Sequence, residues 1–533
     1  MELTRRTFLA GAAVAGFSAL AVGATGCSSE NQLSDTGADN APRGADETID
    51  CDIVVVGGGL SGLAAAVQAG ANGDRTVVLE ATGAFGGAGH GVEGIFAINS
   101  PLQKELSIDV SKAEVLTDET ASTNYTNSGL HWSRMIDASA DNIAWLLEQG
   151  AEFSGVVDTY MPGGRFNCFH WWKNGHAADG YVPQMIARAE ALGVDMRATT
   201  VAEELIVEDG VVRGLYASAN GKSTLRVNAK AVILAAGGYI GNPDLLASQM
   251  LITEDEMATA CLETAQLLYR TGSGVNMAKA VGAKTHPAPC IEGWFQPADL
   301  PVGDAAITHT LQITDKVNFR KFYVDSGMFM GAGMAIWVEE HGQRFTNEAA
   351  ALQEAERTFT TRKFYKEHYQ VFDSTLVEAI YGEPDMAEAF DQFLTDYPTS
   401  ILKADTIEAL AETVGLDPQS LRETIDTYNG YCSAGVDEDF GRDRQLLVPI
   451  SKAPYYIFRC EISGDATLGG ICTDIDFHAL DNQKNPIPGL YMAGVDSCML
   501  YNCVYPLGVP GTACCNSVHS GRISANTAHA EIA

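Results

Sequence analysis

Positive charge is scarce in this sequence. Its 533 residues include 34 lysines and arginines against 68 aspartates and glutamates, which gives a net charge of -34 at pH 7. Because nucleic acids are polyanions and no basic cluster offsets this excess, no binding to nucleic acid is expected. The length is sufficient for two or three domains with large cores, and a hydrophobic content of 46% is ordinary for a globular protein.

Cysteine is also sparse, since twelve residues in a chain of this length are too few for a disulfide scaffold. The sequence contains no Cys-x-x-Cys-His, so no c-type haem attached to it is expected, and no metal site is predicted. An iron-sulfur cluster is not favoured, because the cysteines near the C-terminus match no ferredoxin spacing. Buried free thiols are expected instead. These cysteines are Cys460, Cys472, Cys498, Cys503, Cys514 and Cys515.

Strongly apolar runs are missing from the N-terminal region. Residues 4–9 read Thr-Arg-Arg-Thr-Phe-Leu and precede a weakly apolar Ala/Gly run, which predicts a twin-arginine export signal over residues 1–30. A short membrane anchor is disfavoured because the run is rich in Ala and Gly rather than Leu and Ile. Cys27 follows a sequence that resembles a lipoprotein processing site, so any membrane attachment is expected there. Residues 31–49 are polar and acidic, as in a flexible linker.

The strongest local signal lies in residues 52–80. A β-branched run is followed by glycines at 57, 59 and 62, an Ala-rich helical segment, and a second apolar run that ends at Glu80. In a βαβ unit such glycines allow a tight turn, close approach to a pyrophosphate and helix–strand contact, while the acid accepts hydrogen bonds from a ribose. The free amides at the helix N-terminus attract phosphate. The stretch therefore predicts dinucleotide binding.

Further along the chain, patterning predicts alternating helices and buried strands. Residues 129–150 and 178–192 read as helices, residues 230–239 as a buried strand ending in small residues, and residues 384–430 as a helix-rich region. The first helix is expected to bury Met135, Ile143, Leu146 and Leu147. A glycine-bearing turn at 507–512 opens a C-terminal helix.

These segments, taken in order, resemble the FAD-dependent fumarate reductase family, which includes flavocytochrome fumarate reductases, urocanate reductase and 3-ketosteroid dehydrogenases. The resemblance implies an α/β fold. A discontinuous Rossmann-type FAD-binding domain, residues 50–290 and 465–533, would be interrupted by an α+β capping domain at 291–464. Substrate would lie between cap and flavin. The segments that carry the resemblance are 57–62, Glu80, 235–238, 271–274, 342–348, 468–470 and 488–496.

The resemblance also implies non-covalent FAD and a set of residues around it. The glycine turn would contact the pyrophosphate, the acid after the second strand the adenosine ribose, and the next glycine loop the flavin. Asp496 would hold ribityl or ribose hydroxyls, and the C-terminal helix would point its N-terminus at the flavin. The residues are Gly57, Gly59, Leu60, Ser61, Gly62, Glu80, Ala81, Gly86, Gly87, Ala88, Val201, Ala202, Ala235, Ala236, Gly237, Gly494, Asp496, Gly511 and Thr512.

Four departures from the family pattern indicate the substrate. Leu352 stands at the place of the proton-donating arginine, Ala466 and Trp294 at the places of two histidines, and Pro506 at the place of a second arginine. A buried carboxylate without a cation is costly, so fumarate is not the expected substrate. An apolar pocket fits a larger and less charged molecule, such as a phenylpropenoid, a steroid-like enone or an unsaturated lactone.

The expected reaction is reduction of an activated carbon–carbon double bond. Tyr505 is the expected hydrogen-bond donor to the substrate carbonyl, and Tyr501 and Arg357 are candidates for the acid. Because one nucleotide fingerprint is present, electrons are expected from a quinol-linked cytochrome outside the cytoplasmic membrane. Two alternatives stay open: a ketosteroid-type dehydrogenase working in the oxidative direction, and a non-catalytic flavin electron carrier.

Overall fold

The computed structural model describes residues 44–160, 164–250, 261–262, 270–297, 334–348, 364–382, 384–505 and 508–533. From Ala45 to Ala533 the chain forms one compact unit. No helix in the described part of the chain has both the length and the apolar character that crossing a membrane requires.

The described chain contains both strands and helices, numbered here in chain order. The strands are β1 Glu47–Asp50, β2 Ile53–Val56, β3 Thr76–Leu79, β4 Gly94–Phe96, β5 Phe153–Asp158, β6 Phe169–Trp172, β7 Asp195–Arg197, β8 Thr200–Glu208, β9 Val211–Ala219, β10 Ser223–Asn228, β11 Ala231–Leu234, β12 Cys261–Leu262, β13 Cys290–Pro297, β14 Ile336–Glu339, β15 His368–Asp373, β16 Ile401–Ala404, β17 Tyr455–Leu468, β18 His478–Leu480 and β19 Pro486–Met492. The α-helices are α1 Leu60–Asn72, α2 Pro101–Glu105, α3 Lys112–Ser122, α4 Gly129–Glu148, α5 Ala177–Gly180, α6 Val182–Ala191, α7 Pro243–Met250, α8 Ser273–Ala280, α9 Ser374–Tyr381, α10 Pro384–Asp396, α11 Ile407–Thr413, α12 Pro418–Ala434 and α13 Thr512–Ile532.

A six-stranded sheet, with strand order β18-β19-β11-β2-β3-β7, positions the predicted dinucleotide site. The pairings from β19 through β7 are parallel, and β18 is antiparallel at one edge. Strands β2, β3 and β11 are buried at every position. Continuous burial is expected for parallel strands that are covered on both faces, and their β-branched residues suit that environment.

Helices α1 and α13 pack closely against each other beside this sheet. The contact depends on Gly521, because a Cβ there would overlap the Ser61 carbonyl oxygen. The close approach brings the C-terminal helix to the same side of the sheet as the first glycine turn, although 450 residues of sequence separate them.

A second sheet is built around the long strand β17. Its order is β12-β17-β15-β14, and β13 and β16 also pair with β17. Helices α11 and α12 cover a separate hydrophobic cluster that includes Leu410, Leu421 and Ile425. The predicted domain boundaries at 290/291 and 464/465 fall at the start of β13 and inside β17, two strands that pair with each other. The boundaries between the FAD-binding and capping domains stay a prediction.

Two helix predictions need correction. In α4, Met135, Ile143 and Leu146 are buried as expected, but Leu147 is 39% exposed, so its assignment to the buried face was wrong. The helix predicted over 178–192 is broken into α5 and α6 at Tyr181. That tyrosine is buried and its hydroxyl donates a 2.7 Å hydrogen bond to the Leu60 carbonyl oxygen, a tertiary contact that local sequence does not reveal.

Candidate functional site

The first glycine turn joins β2 to α1 and combines tight contacts with open space. Gly57 has φ +100°, and a Cβ there would overlap the Ala235 carbonyl oxygen at the end of β11. Gly62 is equally constrained, because a Cβ would overlap the Gly57 carbonyl oxygen. At Gly59 the nearest atom to a Cβ would be the Gly86 carbonyl oxygen at 3.9 Å, so the turn is open there. Two glycines therefore serve the protein's own packing, and one leaves room for a ligand.

The N-terminus of α1 is suited to an anion. Gly59 is the N-cap residue, no side chain in the described part of the chain caps it, and no acid lies in the first turn. Leu60 and Ser61, which begin the helix, are buried. Free amides and the positive end of the helix dipole therefore point into the space beside Gly59, as pyrophosphate binding requires.

Glu80 is held in place by backbone amides. Its carboxylate accepts hydrogen bonds from the Gly58 amide at 2.7 Å and the Thr82 amide at 2.8 Å. The Glu80 carbonyl oxygen accepts from the Thr200 amide at the start of β8. The structure thus brings Ala81, Val201 and Ala202 into one region beside the acid, with Val201 exposed and Ala202 buried. A carboxylate with two fixed hydrogen bonds still has lone pairs for ribose hydroxyls.

The second glycine loop lies across the open space from the first turn. The Gly86 amide donates a 2.8 Å hydrogen bond to the Gly58 carbonyl oxygen, which fixes the two loops together. Gly86 and Gly87 have φ of +115° and +51°, in the left-handed region that favours glycine. Ala88 follows in the short 3-10 helix Gly87–Gly91. Gly59, Gly86 and Gly87 therefore form two sides of one cleft.

Asp496 is fully buried behind the end of β11. Its carboxylate accepts hydrogen bonds from the Ala236 amide at 2.6 Å and the Gly238 amide at 2.8 Å. Burial raises the pKa of Asp496 to about 6, although these backbone hydrogen bonds oppose the shift. The structure therefore gives Asp496 a role that the sequence analysis missed, which is to hold the turn that contains Gly237. Its predicted contact with ribityl or ribose hydroxyls stays a prediction.

Among the residues that the structure describes, no side chain caps the start of the C-terminal helix either. Gly511, with φ +78°, is the N-cap residue of α13, and no acid lies in the first turn. A Cβ on Gly511 would be 2.6 Å from the Phe96 amide nitrogen. Gly494, at the start of the 3-10 helix Gly494–Asp496, packs on Ser61, and its amide donates a 2.8 Å hydrogen bond to the Ser520 hydroxyl of α13. The N-termini of both long helices are thus held in one part of the molecule.

The two predicted catalytic tyrosines lie next to each other. Their rings meet edge to face with centroids 4.9 Å apart, and both side chains are buried. Tyr501 and Thr512 share a hydroxyl–hydroxyl hydrogen bond of 2.5 Å. Burial, with Tyr505 as the next cause, raises the pKa of Tyr501 well above its ordinary value, so the phenol stays protonated. The structure therefore links Tyr501 directly to the first residue of α13.

The predicted pocket residues are placed only in part. Ala466 is half-buried in β17, opposite Glu292 of β13, and the backbone of Trp294 pairs with Ser463 in the same two strands. Leu352, Arg357 and Pro506 lie outside the described residues.

His286, which the sequence places in a His-Pro pair, lies beside the predicted pocket. Its amide donates to the Gly470 carbonyl oxygen at 2.8 Å, and a Cβ on Gly469 would be 3.0 Å from its ring. Burial lowers the pKa of His286 to about 4, so the imidazole is neutral at neutral pH. His286 therefore does not replace the positive charge expected of the two histidines in the family pattern, whose places Ala466 and Trp294 occupy.

A buried ionic cluster fixes the Gly-x-Arg-Phe-x-Asn-Glu segment, and sequence analysis did not foresee it. Arg344 bonds Glu348 at 2.8 Å and Asp437 at 2.9 Å, and Arg442 bonds Glu348 at 3.2 Å. These side chains are at most 4% exposed. Arg344 and Glu348 stand at helical i,i+4 spacing, which was a visible signal, but Asp437 and Arg442 come from a distant stretch.

The structure describes free cysteines and a group of possible metal ligands. Nine cysteines of the described part of the chain are free thiols, and seven of these nine are buried. The expectation of buried thiols near the C-terminus is confirmed for Cys472, Cys498, Cys514 and Cys515, but it was wrong for Cys503, which is exposed. Within the described ranges, the group of side chains close enough to hold a metal is Glu339, Glu340 and His341. That group is partly exposed and lies away from the glycine turns in sequence.

The residues present fit FAD. An open glycine position faces the N-terminus of α1, and the Glu80 carboxylate, which is predicted to bind ribose, is fixed beside it. The N-terminus of α13 lies in the same part of the molecule. This fold and cleft define a dinucleotide-binding flavoprotein.

Comparison with known proteins gives the family. The profile of the FAD binding domain family matches residues 52–511, and the chain belongs to this family. It is 31% identical over 498 residues to the vinyl phenol reductase of Lactiplantibacillus plantarum, which covers 89% of this chain and 95% of that protein. It is 29% identical over 494 residues to the urocanate reductase of Eggerthella lenta, covering 89% of this chain and 74% of that protein.

Solved structures show the same fold. An open conformation of a flavocytochrome c3 fumarate reductase has a TM-score of 0.67 at 22% identity, covering 92% of this chain and 79% of that chain. The 3-ketosteroid-delta4-(5alpha)-dehydrogenase from Rhodococcus jostii has a TM-score of 0.70 at 22% identity, covering 92% and 99%. The predicted fold class, the FAD cofactor and the enzyme class, a fumarate-reductase-like FAD-dependent oxidoreductase acting on CH–CH groups, are confirmed.

Proposed function

We propose that this enzyme reduces an activated carbon–carbon double bond in a bulky, weakly charged substrate. The proposed substrates are alkenes conjugated to a carbonyl group or to a phenol ring. Bound FAD supplies the hydride. The reductase names of the two relatives, one of them acting on a vinyl phenol, support the reductive direction and the aromatic substrate class.

The observation that carries this proposal comes from two segments beside the predicted pocket, neither of which offers a positive charge. Residues 464–471 and 494–512, which hold the two glycine turns nearest α13, contain no lysine, arginine or histidine. His286, which packs on the first of these turns, is neutral at neutral pH because burial lowers its pKa to about 4. A dicarboxylate buried against these two segments would find in them none of the charged hydrogen-bond donors that offset its desolvation.

Tyr505 supplies the polar contact in this proposal. Its position against Tyr501 fixes the ring, and its hydroxyl would donate a hydrogen bond to the oxygen on which charge develops. Such preorganised donors are worth roughly 2–4 kcal/mol of transition-state stabilisation. Arg357 remains a proposed acid outside the described residues, while Leu352, Trp294 and Pro506 are proposed to give the pocket its apolar character.

The same proposal includes export of the enzyme, its attachment to the membrane and its electron donor. The twin-arginine pattern at residues 4–9 supports export of the folded holoenzyme, and Cys27 is the proposed point of lipid attachment. Electrons would come from a quinol-linked cytochrome. This is supported by a 26% identical relative named fumarate reductase (cytochrome) from Shewanella frigidimarina, aligned over 83% of this chain and 71% of that protein. Cell fractionation of wild type and Cys27→Ala tests it, and a cytoplasmic wild type would contradict it.

A substrate panel tests the reaction. Purified enzyme reduced by an artificial dye is mixed without oxygen with a vinyl phenol, a hydroxycinnamate, a steroid enone, an unsaturated lactone and fumarate, and flavin reoxidation is followed by absorbance. We expect at least one of the first four to reoxidise the flavin faster than fumarate. Preference for fumarate would refute the pocket argument. Reduction of oxidised flavin by a saturated ketosteroid would favour the dehydrogenase alternative, and no reoxidation by any alkene would favour an electron carrier.

Tyr505→Phe tests the hydrogen-bond donor. We expect reoxidation at least tenfold slower with FAD still bound, because the ring remains and the hydroxyl is lost. Tyr216→Phe is the matched control, since it removes another buried tyrosine hydroxyl in β9, outside the six-stranded sheet. Equal rates in the two variants would remove Tyr505 from the reaction.

A further inference from the structure

Three aromatic side chains connect helix α4 to the turn that carries the predicted catalytic tyrosines. The ring of Trp132, in the first turn of α4, meets the Tyr501 ring edge to face, with centroids 6.0 Å apart. The Tyr501 ring meets the Tyr505 ring in the same way at 4.9 Å. All three residues are at most 4% exposed, so these contacts are made in the core. We call these three residues the aromatic row.

Trp132 also holds the backbone of the same turn. Its indole N–H donates a 2.8 Å hydrogen bond to the carbonyl oxygen of Leu500, the residue before Tyr501. Leu500 is buried, and leaving a buried carbonyl oxygen without a hydrogen-bond donor is unfavourable. Because residues 497–505 form neither helix nor strand, contacts of this kind decide where the tyrosines lie.

Helices α4 and α13 both hold the aromatic row. The two helices pack against each other, and the Tyr501 hydroxyl shares a hydrogen bond with Thr512, the first residue of α13. Nearer the surface, the Cys503 amide donates a 3.0 Å hydrogen bond to the Ala288 carbonyl oxygen. The turn is therefore fixed at several points, and Trp132 supplies a contact from within the core that reaches both its backbone and its tyrosines.

We propose that Trp132 is a positioning residue for the reaction, and that it sets the Tyr505 hydroxyl at the place where charge develops on the substrate oxygen. This inference rests on the proposed alkene reduction. Trp132 is fully buried, so it acts through Tyr501 and Tyr505 rather than on the substrate itself. A hydrogen-bond donor stabilises a transition state only where its geometry is fixed in advance, and a displacement of about 1 Å can slow a reaction on the order of 100-fold.

Trp132→Phe tests the proposal, because it shortens the aromatic row and removes the indole donor. With FAD still bound, we expect reoxidation of reduced flavin at saturating alkene to be about tenfold slower or more, and the half-saturating alkene concentration to change less than about threefold. Trp172→Phe is the matched control, since Trp172 is equally buried in the same hydrophobic cluster and its indole N–H has no partner among the described residues. Equal rates in the two variants would overturn the proposal.

A double variant distinguishes positioning from a general loss of stability. If Trp132 acts by placing the Tyr505 hydroxyl, adding Trp132→Phe to Tyr505→Phe should slow the enzyme by less than about twofold. Equal slowing in the wild-type and Tyr505→Phe backgrounds would overturn the proposal. Should Trp132→Phe fail to fold, benzothienylalanine takes its place in both comparisons, because this amino acid keeps the two-ring shape of tryptophan and loses only the N–H.

A measurement without turnover separates this inference from the proposed function. Fluorotyrosine is placed at position 505, and its fluorine NMR signal is recorded in the oxidised holoenzyme. Trp132→Phe should shift or broaden the signal, because the ring changes its surroundings, and Trp172→Phe should leave it unchanged. An unchanged signal in Trp132→Phe would overturn the positioning role. If no alkene reoxidised even the wild type, the proposed function would fail. A shifted signal together with that result would show that Trp132 places the Tyr505 ring and would still refute its role in alkene reduction.

Discussion

Gly57→Ala tests whether the first glycine turn is dictated by the protein's own backbone. At Gly57 the added methyl group meets two penalties, a left-handed φ of +100° and overlap with the Ala235 carbonyl oxygen, which cannot move without shifting β11. The φ penalty is about 1–2 kcal/mol. Forced overlap in a packed interior adds about 1–3 kcal/mol more. We expect the free energy of unfolding to fall by about 2–5 kcal/mol.

Gly73→Ala is the matched control. Gly73 has φ +90°, close to the φ of Gly57, but a Cβ there would meet no atom within 4 Å. Its loss should therefore be the φ penalty alone, about 1 kcal/mol. Urea unfolding of the two apoproteins measures the difference, and titration with FAD shows whether Gly57→Ala also loses cofactor. Equal losses in the two variants would refute the argument that contact with β11 requires glycine at position 57.

Three further predictions concern the cleft, the ionic cluster and the C-terminal helix. Gly59→Ala should bind FAD at least tenfold more weakly while the apoprotein loses less than about 1 kcal/mol, because the methyl group fills only the open space. Glu348→Gln should destabilise the protein by about 3–5 kcal/mol, because it leaves the fully buried Arg442 guanidinium without its carboxylate. The hydrogen bond to Asp474 raises the pKa of His478 from 6.5 to about 9. Protonated His478 should therefore add about 2–3 kcal/mol to the free energy of unfolding below pH 6.5, and this stabilisation should be lost as the pH rises through 9.

Each of these predictions has a control and a contradicting result. If the Gly59→Ala apoprotein lost as much stability as the Gly57→Ala apoprotein, position 59 would not be open. Glu378→Gln breaks the exposed pair with Lys452 and should change nothing measurable, so an equal effect of Glu348→Gln would contradict the buried cluster. For His478→Gln, urea unfolding between pH 6 and 10 should show a flatter pH dependence than wild type, and an unchanged slope would contradict the assignment.

The dinucleotide half of the site could be predicted from the sequence because its signals are local. A strand, a glycine turn, a helix and a terminal acid within residues 52–80 constrain one another through backbone geometry, and the structure places Gly57, Gly59, Gly62 and Glu80 accordingly. The atoms that exclude a side chain at these glycines belong to residues a few positions away or to the adjacent strand, so the requirement for glycine follows from the βαβ unit itself.

The burial of particular charged side chains could not be predicted in the same way. Glu119 is one of the acids of α3, and it is buried only because α3 packs against the turn before α13. Asp437 and Arg442 appeared as ordinary charged residues, and only the fold brings them to Arg344 and Glu348. Whether a charged side chain is exposed depends on what packs against it.

The sequence by itself determined the dinucleotide-binding unit, because periodicity and glycine spacing follow from backbone geometry over a few residues. Its resemblance to a known family then indicated the fold class, FAD and the enzyme class. Only the tertiary structure decided which acids are buried, which tyrosine shares its hydroxyl with α13, and that Asp496 holds the end of β11. Those properties depend on contacts between residues hundreds of positions apart, and the free energy of a charge or a hydrogen bond is set by its surroundings in space.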